Sequence, residues 1–151
     1  MAPNVPILSI PLYYLLALYP HDHAMNISRK VTPILHAEND PKSADLLALL
    51  QKRLSPEDWA AFQRSKACHG NLMEKMPLFV SAVLAGILAE REAERSLSVG
   101  LFAVLWLTVR LLYTEVYLET DTQSWGYVRR GSYITGVALC FGMLGRAAMW
   151  L

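Results

Sequence analysis

Polar and apolar residues fall in blocks along this chain. Nothing before Asp22 is charged, nothing lies between Lys75 and Glu90, and nothing lies between Arg95 and Arg110. From Gly131 to Leu151 the only charge is Arg146. A fold in water spreads its charges over every element, because each helix needs a polar stripe opposite its apolar one. The blocks instead predict four apolar helices, over about 5–29, 58–90, 97–119 and 127–151. The second is polar in its first half and apolar from Met76 onward. The intervening loop, 30–57, contains a shorter helix at Ser43–Leu54, where Leu46, Leu47, Leu50 and Leu54 recur at helical spacing. Ser55-Pro56-Glu57-Asp58 then reads as a helix start, with serine as cap, proline at the first helical position and acids facing the free amides.

Several charge-free runs are only about 14 residues against the ~20 of a typical span, so a soluble four-helix bundle competes. The third helix decides between them. Tyrosines aside, its polar residues from Leu97 to Leu118 are Ser98, Thr108, Arg110, Thr114 and Glu115, which form no broad face on a helical wheel. Beyond Arg130 the fourth carries Ser132, Thr135 and Arg146 and no acid. Helices apolar almost all round belong in a bilayer. The expected fold class is all-α: a polytopic membrane bundle of four antiparallel, left-handed helices in a single domain over 1–151.

Composition narrows the function. At 151 residues the chain is one domain's worth, with 54% hydrophobic and 18% charged residues against roughly 25% charged in soluble proteins. That excludes intrinsic disorder. A net charge of +1 with no basic face excludes a nucleic-acid partner. Two cysteines, Cys68 and Cys140, do not make a disulfide scaffold. The apolar start lacks the basic opening and cleavage pattern of a signal peptide, so it reads as the first span. Arg29, Lys30, Lys42, Lys52 and Arg53 follow the first helix, and Arg129 and Arg130 follow the third. The excess of basic residues puts both loops in the cytosol and both ends of the chain in the lumen.

The scarce polar residues then converge. Arg64, Asn71 and Glu74 share a face of the second helix, at spacings of seven and three. Arg110, Tyr113 and Tyr117 share a face of the third, and Arg129 and Tyr133 a face of the fourth. All lie near the cytosolic boundary, where each charge at membrane depth costs at least about 2.5–3.5 kcal/mol unless it faces an interior. Arginines suit carboxylates, a glutamate suits an ammonium and an asparagine suits a peptide group, so the set describes a pocket for a zwitterionic, multiply charged ligand. Each residue also has a plainer reading. Arg64 can be solvated, the tyrosines can form an aromatic belt, Arg129 and Arg130 can fix orientation, and Arg110 can pair with Glu74. His69 reads as an interfacial histidine, and Cys68 and Cys140 as small apolar residues. His21, His23 and His36 lack metal-ligand spacing, so no metal site is expected. Gly136, Gly142 and Gly145, with Ala138, permit close helix approach.

The segment Arg64-Ser-Lys-Ala-Cys-His-Gly-Asn71-Leu-Met-Glu74-Lys-Met-Pro77-Leu-Phe79 resembles the second-helix signature of the MAPEG family, the membrane-associated proteins of eicosanoid and glutathione metabolism. Arg110-Leu-Leu-Tyr113-Thr-Glu-Val-Tyr117 resembles its third-helix pattern, and Arg129 with Tyr133 the start of its fourth. The likeness is to microsomal glutathione transferases, of the fungal and bacterial branch. It implies a homotrimer in the endoplasmic reticulum, with glutathione as cofactor between protomers near the cytosolic face. It also implies conjugation, peroxide reduction or isomerisation of a lipophilic small molecule from the bilayer. On that resemblance Arg129 and Tyr133 are the catalytic positions. Arg64, His69, Asn71, Glu74, Arg110, Tyr113, Tyr117 and Arg29 are those that hold glutathione.

Three positions depart from the eicosanoid-synthesising members. Ala67 stands where they carry an arginine, and Arg130 where the prostaglandin-synthesising type has a serine. The segment from Tyr117 to Arg129 is about three residues longer than in that type, leaving either Arg129 or Arg130 to face the sulfur. The competing reading within the family is a lipid-binding accessory protein, or an isomerase that does not use glutathione.

Overall fold

The computed structural model describes residues 4–31, 44–120 and 123–151. They form five α-helices and, among the described residues, no strand: α1 (Val5–Arg29), α2 (Ala44–Arg53), α3 (Pro56–Glu92), α4 (Val99–Glu119) and α5 (Gln123–Ala148). Lys42 and His36 lie outside the described residues. α3 and α4 are long and apolar enough to cross a membrane. α1 and α5, at 25 and 26 residues, have the length but no equally apolar 18-residue stretch.

The helix starts follow from local chemistry. Asn4 Oδ1 accepts from the Ile7 amide at 3.1 Å, and Ser55 Oγ accepts from the Asp58 amide at 3.1 Å, so the cap expected before Pro56 is present. α4 has no such cap of its own, because Ser98 sits at φ 60° in the left-handed region with its hydroxyl unused for capping. Glu90 of α3 does the work instead. Its Oε1 accepts from the Leu97 and Val99 amides at 2.7 and 3.2 Å, placing a carboxylate at the positive end of α4. The fourth long helix begins at Gln123, not near Tyr127 as the polar run and Gly126 suggest. One glycine costs a helix only about 1 kcal/mol, too little to stop it.

α3 and α4 pack on each other, with α1 and α5 each packed against both. The core between them is aromatic. Phe79 stacks on Trp106 with centroids 5.0 Å apart and planes at 7°, and meets the Tyr13 ring edge-on at 5.3 Å. Phe102 adds a fourth ring, 5.9 Å from Phe79. The Tyr13 hydroxyl donates to the Leu72 carbonyl at 2.7 Å, fixing α1 to α3 with no unpaired phenol left in the core. Gly86 allows α3 to meet its neighbours closely, since a Cβ there would lie 2.8 Å from Val99 Cγ2 and 2.9 Å from Met143 Sδ. A second, smaller cluster (Ala24, Ile27, Leu46, Leu50, Leu54 and Phe62) seats α2 against the ends of α1 and α3. The Lys30–Asp58 ion pair, at 2.7 Å, closes the same end at the surface.

The outer faces stay apolar. Leu8, Leu12 and Leu15 of α1, Leu84 and Leu88 of α3, Leu101, Leu111 and Leu112 of α4, and Ile134 and Phe141 of α5 are all exposed. Such a surface is suited to hydrocarbon or to another chain, and not to water.

In such surroundings packing, more than exclusion of water, sets the cost of a core truncation. Phe79→Ala removes three ring contacts worth ~0.5–1.5 kcal/mol each, so it is expected to destabilise by about 2–4 kcal/mol. Titration of detergent-solubilised protein with a denaturing detergent, followed by near-ultraviolet circular dichroism, measures this. A midpoint unchanged from the parent would show that the rings do not hold the bundle.

Candidate functional site

Asn71 of α3, two turns beyond Arg64, reaches α4, and its Nδ2 donates to the Tyr113 hydroxyl at 3.0 Å. Tyr113 is buried, and its ring lies 5.4 Å from that of Tyr117, one turn on. Over Tyr117 sits the Arg129 guanidinium of α5, 5.0 Å from the ring centroid. An amide, two phenols and a guanidinium from three helices thus form one continuous contact chain. Arg129 is half-buried and turned to α4, whereas Arg130 is exposed. Tyr133, one turn after Arg129, lies under the Lys75 ammonium at 4.9 Å. Glu74 is exposed beside this chain and forms no ion pair among the described residues.

Arg110 lies deeper. The residue is 1% exposed, its guanidinium 4.3 Å from the Trp106 ring centroid and 5.6 Å from that of Tyr113. Its Nε and Nη2 make no hydrogen bond among the described residues, and no ion pair joins it to Glu74. Stacking on Trp106 is what the protein offers this cation, a contact worth ~2 kcal/mol or more when water is excluded. Gly136 of α5 makes the room: a Cβ there would stand 2.8 Å from Arg110 Cζ. Thr114, also buried, returns its hydroxyl to the Arg110 carbonyl at 2.9 Å.

The remaining candidates face α1 or the surface. His69 lies about 200° around α3 from Asn71, and its Nδ1–H donates to the Ala17 carbonyl at 2.7 Å. Its ring is 5.1 Å from that of His21. His23 Nδ1–H donates to Ser65 Oγ at 2.8 Å, since that hydroxyl gives its own proton to the Ala61 carbonyl. Arg64 is half-buried, with Nε lacking a hydrogen bond among the described residues. Arg29 is exposed at the end of α1 and bonds Asn26 at 3.2 Å. The contact chain therefore joins Asn71, Tyr113, Tyr117 and Arg129, with Tyr133 and Glu74 alongside and Arg110 beneath. It does not include Arg29 or His69.

Sequence reasoning passed over Lys75 and Trp106. Lys75 was legible as the neighbour of Glu74, 40° from Asn71 on the helical wheel. Trp106 was legible as the residue one turn before Arg110 on an otherwise apolar helix.

A model of the MAPEG family matches the chain over residues 7–149. No curated protein and no solved structure matches it.

The seat of Arg110 gives a direct test. Gly136→Ala is expected to cost about 1–3 kcal/mol by forcing the guanidinium off Trp106. Shortening the arginine in Arg110→Ser removes the clash. The double variant should therefore be at least ~0.5 kcal/mol more stable than the sum of the single effects predicts. Additive midpoints in detergent unfolding would show that the two residues do not share this space.

Proposed function

The chain belongs to the MAPEG family, and on that footing we propose that it is a membrane-bound glutathione-dependent transferase or peroxidase acting on lipophilic electrophiles. The family includes glutathione transferases and other members, so membership sets the class and the site must argue the rest. The observation that carries the reading is the contact chain Asn71–Tyr113–Tyr117–Arg129 across α3, α4 and α5. Its donor set fits a sulfur tripeptide. Arg129 answers a carboxylate or a thiolate, the exposed Glu74 carboxylate answers an ammonium, and the half-buried Asn71 amide answers a peptide group.

In this reading glutathione, when bound, supplies the thiol nucleophile. An ordinary thiol, with a pKa of about 8.5, is only a few per cent ionised at neutral pH. Arg129 favours the ionised sulfur, and a shift of about two units corresponds to ~2.7 kcal/mol. Tyr133, on the same face of α5 one turn on, donates its hydroxyl to charge developing on the electrophile. Arg64 lies on the Asn71 face and completes the binding side. Arg110 stacks on Trp106 and keeps Tyr113 and α5 in register.

Four of the five helices cross the bilayer in this reading, with the loops before α3 and before α5 in the cytosol and the membrane that of the endoplasmic reticulum. The exposed position of Glu74 and the apolar outer faces support a homotrimer whose neighbouring chain closes the site. Ala67, where eicosanoid-synthesising relatives carry an arginine, favours one second reading: an accessory protein or isomerase that works without glutathione.

Calorimetry on the solubilised protein separates the two. Glutathione is expected to bind at or below millimolar concentration, and Glu74→Gln to weaken it roughly tenfold, about 1.4 kcal/mol. Arg129→Ala should lower turnover of a chloronitrobenzene about a hundredfold while binding falls less. Absence of binding at millimolar glutathione would favour the second reading. Unchanged turnover in Arg129→Ala would remove that residue from the chemistry.

A further inference from the structure

Between α4 and α5 lies an open groove of about 530 Å³, which runs from mid-helix toward the end opposite Arg129. That volume is in the ~300–1,000 Å³ range of sites that hold small ligands. Its walls are Leu101 and Leu105 of α4 and Ile134 and Leu139 of α5. Leu101, Leu105 and Ile134 are exposed. The apolar walls run to a polar end made by Ser98 and Arg146. Arg146 is exposed, is the only charge between Gly131 and Leu151, and forms no ion pair among the described residues. A second cation stands at the same edge, where Arg95 lies over Trp150 at 5.2 Å. Arg146 and Arg129 are 17 positions apart on one helix, about 26 Å, so the polar end of this groove is separate from the contact chain around Tyr117.

An apolar slot with an unanswered cation at one mouth has the polarity of an anionic amphiphile. We propose that the α4–α5 groove holds one acyl chain of an anionic phospholipid, with the phosphate seated on Arg146. The guanidinium fork meets two phosphate oxygens at once. Ser98 offers a hydroxyl beside it, and the exposed leucines lose contact with mobile lipid in favour of one fixed chain. A second copy paired groove to groove is a poor occupant by charge. α5 carries three arginines and no carboxylate, and α4 carries none before Glu115, so the same groove on another copy offers Arg146 no counter-charge.

The test uses the full chain in nanodiscs of phosphatidylcholine with a minor fraction of phosphatidylglycerol. Native mass spectrometry of the released assembly reads which lipids stay bound. Phosphatidylglycerol is expected to be enriched at least tenfold over its share of the disc. Arg146→Gln should abolish the enrichment, and Ala138→Trp, which fills the groove, should remove the bound lipid. Both variants should keep the oligomeric mass and glutathione binding of the parent, which separates failure here from failure of the proposed activity. A phosphatidylglycerol carrying a diazirine on its chain should label α4 at 101–105 and α5 at 134–139. Enrichment that survives Arg146→Gln, labelling spread evenly over the outer faces, or crosslinks between copies through the groove would each overturn the proposal.

Discussion

A guanidinium stays charged at any pH a cell offers, and hydrocarbon gives it nothing to bond. A chain that puts Arg110 on an apolar helix must therefore build its surroundings for it. Two aromatic faces and a missing side chain do so here: Trp106 lies beneath the cation, Tyr113 beside it, and Gly136 leaves the space it occupies. Insertion of a charge costs at least about 2.5–3.5 kcal/mol, and a desolvated ring contact returns ~2 kcal/mol or more, so the stack offsets much of the penalty. The arrangement also has structural reach. Trp106 is the floor of the ring stack with Phe79 and Tyr13, and Tyr113 is the hydrogen-bond partner of Asn71. One cation thus couples the apolar core to the polar chain above it.

The architecture was largely legible, because burial needs the same periodicity whatever surrounds the helix. α1 runs over the residues its apolar pattern marks, and α3 begins at the Ser55-Pro56 cap. α2 occupies the Leu46–Leu50 stretch as a surface helix. The early start of α5 was hidden, since propensity at Gly126 argues against a helix, although one glycine costs too little to stop it. The turn before α4 was hidden as well. A cap supplied by a residue nine positions back leaves no local motif.

The contact chain was legible by helix face and less so in its pairing. Spacing placed Asn71, Glu74 and Arg64 together and set His69 two residues away, about 200° around the helix, and packing shows which neighbour lies on that side. His69 accordingly meets α1, with the Ala17 carbonyl as partner. Arg129 and Arg130 are equal by type, and the contact with Tyr117 distinguishes them. Lys75 over Tyr133 escaped notice because a lysine beside a family glutamate reads as solvated until the ring beneath it is seen.

The carboxylate that tends the start of α4 belongs to the helix before it, and this bears on how the chain enters a bilayer. A hairpin that carries its own counter-charge at the bend needs no later segment to quiet its amide dipoles. The two most apolar rods are therefore equipped to cross as a ready-made pair, with α1 and α5 docking onto them afterwards. Biogenesis would then follow an inside-out order, in which the middle of the polypeptide settles before either flank.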